Sequence, residues 1–136
     1  MARYDLTIRG GGIFGLSIAW EAVRRGARVR VTETHAIGAG SSGGVVGALA
    51  PHVPENWNPK KQFQLESLLM AEAFFASASQ ASGLPTGYAR TGRLQPLTDA
   101  AAVALAHQRS ETARSLWQDH AIWSVIPSPA GDWHPA

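Results

Sequence analysis

Residues 4–33, YDLTIRGGGIFGLSIAWEAVRRGARVRVTE, decide the fold of this chain. Leu6 and Ile8 alternate with Asp5, Thr7 and Arg9, which is the period of a β-strand. Gly10, Gly11 and Gly12 then break the pattern, and Gly15 completes the spacing G-x-G-x-x-G. Ile13, Leu16, Ala19, Trp20 and Val23 keep the three-and-four spacing of one buried helix face, which predicts a helix over residues 13–25. Arg24 and Arg25 suit its last turn, and Gly26 suits its C-terminal cap. Val29 and Val31 predict a second strand, closed by Glu33, 23 residues after Gly10. Strand, glycine turn, helix, strand and acidic residue, in that order, make the βαβ unit that binds a dinucleotide.

The chemistry asks something different of each glycine. Gly10 permits a tight turn, Gly12 leaves the pyrophosphate path open, and Gly15 lets the helix approach the sheet. Backbone N–H groups at the helix start, those of Ile13 and Phe14, then face the phosphates, where the helix dipole favours negative charge. Glu33, followed by Thr34, is placed to accept from the adenosine ribose hydroxyls. The alternative is a glycine turn in an unrelated small α/β domain, with Glu33 merely solvated. The alternation in the first strand is also unusual for a parallel strand covered on both faces.

The rest of the composition narrows the class. The 136 residues have the length of one ordinary domain, with 45% hydrophobic residues and a net charge of +2. That charge is too small and too scattered for a nucleic-acid partner. There is no cysteine, which excludes disulfides, cysteine metal ligands, a thiolate nucleophile and a cysteine–flavin link. No metal site is expected. No apolar stretch is long enough for a membrane span, and the N-terminus does not read as a signal peptide, so a cytoplasmic protein is the default.

Beyond Glu33, residues 38–44, GAGSSGG, form a glycine and serine loop, and residues 45–51 continue as VVGALAP. Such a loop leaves backbone amides accessible at an entropic cost that a ligand could offset, and Ser41 and Ser42 could donate to a pyrophosphate. A flexible surface loop is the other reading. His52 lies in the proline-rich run APHVPENWNPKK, either beside the cofactor as a polarising group or hydrogen-bonded locally. Residues 60–82 predict a helix whose apolar surface comes from Phe63, Leu65, Leu68, Leu69, Phe74 and Phe75, stopped by Gly83 and Pro85. A short strand is expected near 92–96. Thr98 reads as the N-cap of a second helix over 99–120, with Val103, Ala106, Ala113, Leu116 and Trp117 buried and Arg109 solvated. A strand over 122–126 and a mobile proline-rich tail complete the expectation.

Taken together, four pieces resemble one family. The run IRGGGIFGLSIAWEAVRRG resembles the start of a flavoprotein of the D-amino-acid oxidase superfamily. GAGSSGGVVGALAP (38–51) resembles the second flavin-contact loop of glycine oxidase and related amine oxidoreductases, and QLESLL (64–69) and GYARTGRL (87–94) resemble the same branch. The resemblance runs from about residue 4 to residue 126 and implies FAD rather than NAD, which the βαβ unit alone leaves open.

It implies adenosine at Glu33 and Thr34, pyrophosphate at Gly10, Gly12, Ile13, Phe14 and Gly15, and a ribityl and flavin contact from Ser41, Ser42, Gly43, Gly47 and Ala48. The implied reaction is oxidation of an amine or amino acid by hydride transfer to flavin N5. The implied fold is α/β. A Rossmann-like βαβ unit with its flavin loop occupies 1–58, the start of a mixed α+β substrate domain occupies 59–126, and the tail is 127–136.

The resemblance places the substrate arginine and the remaining flavin strands further along than this sequence reaches. The chain is therefore expected to be truncated and incomplete as an enzyme. No catalytic residue is assigned, and neither Arg90 nor Arg93 is promoted to the carboxylate clamp. Two alternatives stand beside this reading. One is a small dinucleotide-binding subunit served by a partner chain, and the other is a remnant that no longer binds nucleotide. An open sheet edge and face would also favour self-association.

Overall fold

The computed structural model describes residues 3–44 and 47–127. The chain divides into two compact units, Met1–Ala48 and Leu49–Ala136.

The first unit is the βαβ element. β1 (Leu6–Arg9), α1 (Ile13–Arg24) and β2 (Val29–Thr32) follow in order. The strands are parallel, with Leu6 opposite Val29 and Arg9 opposite Thr32. Two flanking bonds lengthen the ladder, Asp5 N–H to the Arg28 carbonyl at 2.9 Å and Gly10 N–H to the Thr32 carbonyl at 2.8 Å. At the entry end the Asp5 carboxylate accepts from the Arg28 guanidinium and backbone, which lowers its pKa.

The alternation in β1 is structural. Leu6 and Ile8 are half-buried, and Thr7 and Arg9 are exposed. The sheet is thus covered on one face only. This has a consequence for α1, of which no residue is fully buried. Leu16, Ala19 and Trp20 are half-buried, whereas Ile13 and Val23, expected on the buried face, are exposed. A helix lying on just two strands is covered along a narrower stripe than its apolar pattern allows. α1 ends in paired bonds, Gly26 N–H to Val23 and Ala27 N–H to Ala22, with Gly26 at φ +85. Glycine fits there because the left-handed region disfavours a Cβ.

The second unit is helical. α2 (Pro59–Ser82) starts at Asn58, whose side chain accepts from Lys61 N–H, and stops at Gly83 with φ +70. α3 (Ala100–Leu116) is capped by Asp99, which accepts from Ala102 N–H at 2.8 Å. The cap is therefore Asp99 and not Thr98, because a carboxylate one residue later reaches the free donors of the first turn. α3 also ends earlier than expected, and a 3-10 turn at Gln118–His120 follows, with Gln118 at φ +52.

The strands expected over 92–96 and 122–126 do not form, so among the described residues this unit has no sheet. A strand needs a ladder partner, and Pro96 cannot donate to one.

Its core is Leu65, Ala113 and Trp117, with Trp57, Leu116, Ala121 and Trp123 packed against them. Phe63 and Val103 are exposed instead of buried, because the two helices share only a short contact. Arg109, expected in solvent, grips Glu55 with two bonds of 3.0 and 2.8 Å, and Thr112 donates to the carbonyl of the fully buried Pro54. Residues 53–57 are thereby tied to α2 and α3. The units divide between Ala48 and Leu49, earlier than the division after residue 58 read from the sequence. Residues 128–136, most of the tail expected to be mobile, lie outside the described residues.

Candidate nucleotide site

The site begins where β1 ends. Gly10 has φ +106, a turn conformation that side chains disfavour. Gly11 is buried, and both of its peptide groups are engaged. Its N–H donates to Glu33 Oε2 at 2.7 Å, and its carbonyl accepts from Gly38 N–H at 2.9 Å. Gly12 is the N-cap of α1, with its carbonyl accepting from Leu16 N–H. Gly15 supplies the close approach: a Cβ there would lie 2.2 Å from the Gly10 carbonyl oxygen and 3.3 Å from Ile8 Cγ2.

The first turn of α1 leaves donors available. Ile13 N–H donates to Ser42 Oγ at 2.8 Å. Among the described residues, the N–H groups of Gly12, Phe14 and Gly15 have no partner. No acidic side chain sits in that turn to neutralise the helix dipole. Ser42 belongs to a 3-10 turn, Ser41–Gly43, and its hydroxyl proton has no acceptor among the described residues. Gly43 allows this turn to close, since a Cβ there would meet the Gly38 carbonyl oxygen at 2.2 Å.

Glu33 follows β2 directly. Oε1 accepts from Thr34 N–H at 2.6 Å, Thr34 Oγ1 at 3.0 Å and His35 N–H at 3.1 Å, while Oε2 takes Gly11 N–H. These donors, Gly11 foremost, lower its pKa to about 2. A depressed carboxylate contributes stability that is complete above its ordinary 4.5 and is lost as pH falls through about 2. The Glu33 contacts are therefore expected to hold throughout the neutral range and to weaken only in acid. Carboxyl NMR titration of Glu33 checks this, and a midpoint at the ordinary value would remove the four-donor arrangement. Beside the carboxylate is a cleft of about 210 Å³, lined by Arg9, Gly10, Thr32, Glu33 and Thr34.

Most of the residues read as cofactor contacts surround this turn. Gly10, Gly12, Ile13, Phe14 and Gly15 form it, Glu33 and Thr34 close one side, and Ser41, Ser42 and Gly43 are carried on the short turn at the other. Gly47 and Ala48 are exposed and hydrogen-bond to none of these groups, and residues 45 and 46 lie outside the described residues. His52 belongs to the helical unit, where its N–H donates to Gln64 Oε1. Arg90 bonds the His120 carbonyl and lies 3.9 Å from Glu72, beside a groove of about 400 Å³ walled by the stacked rings of Phe75 and Tyr88.

Sequence reasoning passed over Gly11 and Gly38. The one available signal for Gly11 is that the middle position of the GGG run, which the G-x-G spacing leaves open to any residue, is also glycine.

The arrangement fits a dinucleotide phosphate. Unclaimed N–H donors at a helix N-terminus, a hydroxyl aimed among them and a carboxylate beside the adjoining cleft are its complementary groups. Among the described residues no helix is long and apolar enough to cross a membrane, and no three acidic or histidine side chains gather as metal ligands.

The chain is 26% identical over 128 residues to a glycine oxidase from Geobacillus kaustophilus (strain HTA426), covering 93% of this chain and 31% of that protein. It is 30% identical over 139 residues to the bifunctional protein ThiO/ThiG of Synechocystis sp. (strain ATCC 27184 / PCC 6803 / Kazusa), covering 96% of this chain and 20% of that protein. The chain thus spans a third or less of the length of these curated relatives. No solved structure matches it significantly. The family profile described as "FAD dependent oxidoreductase" (DAO) matches residues 5–128, nearly the whole chain, and with the βαβ element in place the chain belongs to that family.

Proposed function

We propose that this chain is the FAD-binding N-terminal portion of an oxidoreductase acting on an amine or amino acid. One observation carries the reading: the donors of the α1 N-terminus and the Glu33 carboxylate flank a single glycine turn at the ends of two parallel strands. Ligands of open α/β sheets bind beyond the carboxyl ends of the strands.

In this reading Gly12, Ile13, Phe14 and Gly15 hold the pyrophosphate through backbone N–H groups. Gly10 turns the chain out of their way. Glu33 and Thr34 face the adenosine ribose. Ser42, already bonded to Ile13 N–H, offers its own proton to a phosphate oxygen, and Ser41, Gly43, Gly47 and Ala48 line the path toward the ribityl chain. When bound, the flavin supplies a hydride acceptor at N5 for the carbon bearing the amine. The relatives' names support an amino-acid substrate, since one of them is a glycine oxidase.

A second reading has an observation in its favour. Phe14 is 86% and Phe63 71% exposed, which suits a dinucleotide-binding subunit that associates with itself or with a partner chain supplying the catalytic groups.

Gly12→Val tests the first reading. Gly12 is extended, at φ −83 and ψ −179, so valine costs no backbone strain there. Its Cβ would lie 3.0 Å from Ser42 Oγ, and its methyl groups would crowd the helix N-terminus. Retention of FAD, read as flavin absorbance per chain, is expected to be lost while the far-ultraviolet circular dichroism stays that of the parent. Undiminished flavin in the variant would remove the site assignment.

A further inference from the structure

We infer that Glu33 acts on the nucleotide chiefly as a positioning residue, by fixing the glycine turn through Gly11. The inference rests on the nucleotide reading above and deepens it.

The argument starts from peptide planes. A trans peptide places its N–H and C=O on opposite sides. Glu33 Oε2 holds Gly11 N–H at 2.7 Å, so the carbonyl of the same peptide, that of Gly10, is turned away from Glu33 and faces Gly15. Gly38 N–H holds the Gly11 carbonyl at 2.9 Å, so the N–H of that next peptide, on Gly12, is turned away from Gly38. Two long-range contacts therefore orient two successive peptides in a run of three glycines, the residues with the most backbone freedom to lose. Without Glu33 the entropic cost of ordering the turn falls on the binding step.

The carboxylate also has little capacity left for direct contact. Oε1 already accepts three bonds, from Thr34 N–H, Thr34 Oγ1 and His35 N–H. Each carboxylate oxygen offers about two acceptor sites, so only Oε2 has one open. One ribose hydroxyl at most can use it. The same oxygen lies 3.3 Å from where a Gly11 Cβ would stand, and Ile37 Cδ1 lies 2.6 Å from that point, which explains why Gly11 has no side chain.

The two roles separate by ligand. Titration calorimetry of the full chain with ADP and with 2′,3′-dideoxy-ADP, for the parent, Glu33→Ala and Glu33→Gln, reads them. The parent binds both nucleotides. Both variants are expected to lose about tenfold or more on dideoxy-ADP as well as on ADP, although dideoxy-ADP has no hydroxyl for Glu33 to hold. Hydrogen exchange at the Gly11 amide without nucleotide is expected to be slow in the parent and fast in both variants, with unchanged far-ultraviolet circular dichroism showing that they fold.

A loss confined to ADP, or a Gly11 amide equally slow in the variants, overturns the inference and leaves the nucleotide site standing. A parent chain that binds neither nucleotide overturns the nucleotide reading, and this inference with it.

Discussion

Gly15→Ala is expected to weaken the βαβ unit and nucleotide binding together, against the helix propensity of alanine. Intrinsic preference alone would favour alanine by about 1 kcal/mol at a helical position. The structure opposes this with a backbone contact. The new Cβ would lie 2.2 Å from the Gly10 carbonyl oxygen, where real Cβ atoms stay beyond 3.0 Å. α1 and the Gly10 carbonyl must therefore separate by about 0.8 Å, the difference between those two distances. Neither partner is a flexible side chain, so the strain passes into the glycine turn.

Overpacking of this kind costs about 1–3 kcal/mol. The expected outcome is a lower Tm and at least tenfold weaker ADP binding. Gly26→Ala is the control. Its φ of +85 strains a side chain, but nothing lies within 4 Å of its Cβ, so it costs stability without touching nucleotide affinity. A Gly15→Ala chain with parent or higher Tm would show that α1 does not approach the Gly10 carbonyl so closely.

Trp117→Ala is expected to unfold the helical unit. Trp117 is 4% exposed at the centre of a core whose other buried members among the described residues are Leu65 and Ala113. Truncating a buried tryptophan costs about 3–5 kcal/mol, a large share of what a small unit has. Loss of helical circular dichroism from α2 and α3 at room temperature is the measurement. Trp117→Phe separates packing from hydrogen bonding. Trp117 Nε1 is buried without a partner among the described residues, so phenylalanine forfeits no bond there and removes a desolvated donor. It is expected to keep the helical signal. If phenylalanine proved as damaging as alanine, the indole N–H would need a partner that this packing does not provide.

The legibility of the chain follows the range of its interactions. β1, α1 and β2 were readable because period, glycine spacing and the Gly26 stop are local signals. α2 was readable for the same reason, from its apolar content and from Gly83. The strands expected over 92–96 and 122–126 do not form because β-propensity is a preference for a pleated, half-buried surface, and among the described residues no partner strand provides one. Thr98 and Asp99 are adjacent capping types, and only the helix start decided between them. Arg109 reads as a surface charge on a polar helix face, yet Glu55 reaches it from a proline-rich segment 54 residues earlier.

The sequence by itself determined the βαβ unit, the two long helices and the glycine turn at which a nucleotide is proposed to bind. Each of these is written in residue types a few positions apart. Only the tertiary structure decided that Gly11 is the pinned glycine, that Ser42 caps α1, and that the Glu33 carboxylate is mostly occupied by its own backbone. The first two are contacts across 22 and 29 residues of sequence, the third joins donors one and two residues away to the distant Gly11, and no local period encodes which donor meets which acceptor once the strands align.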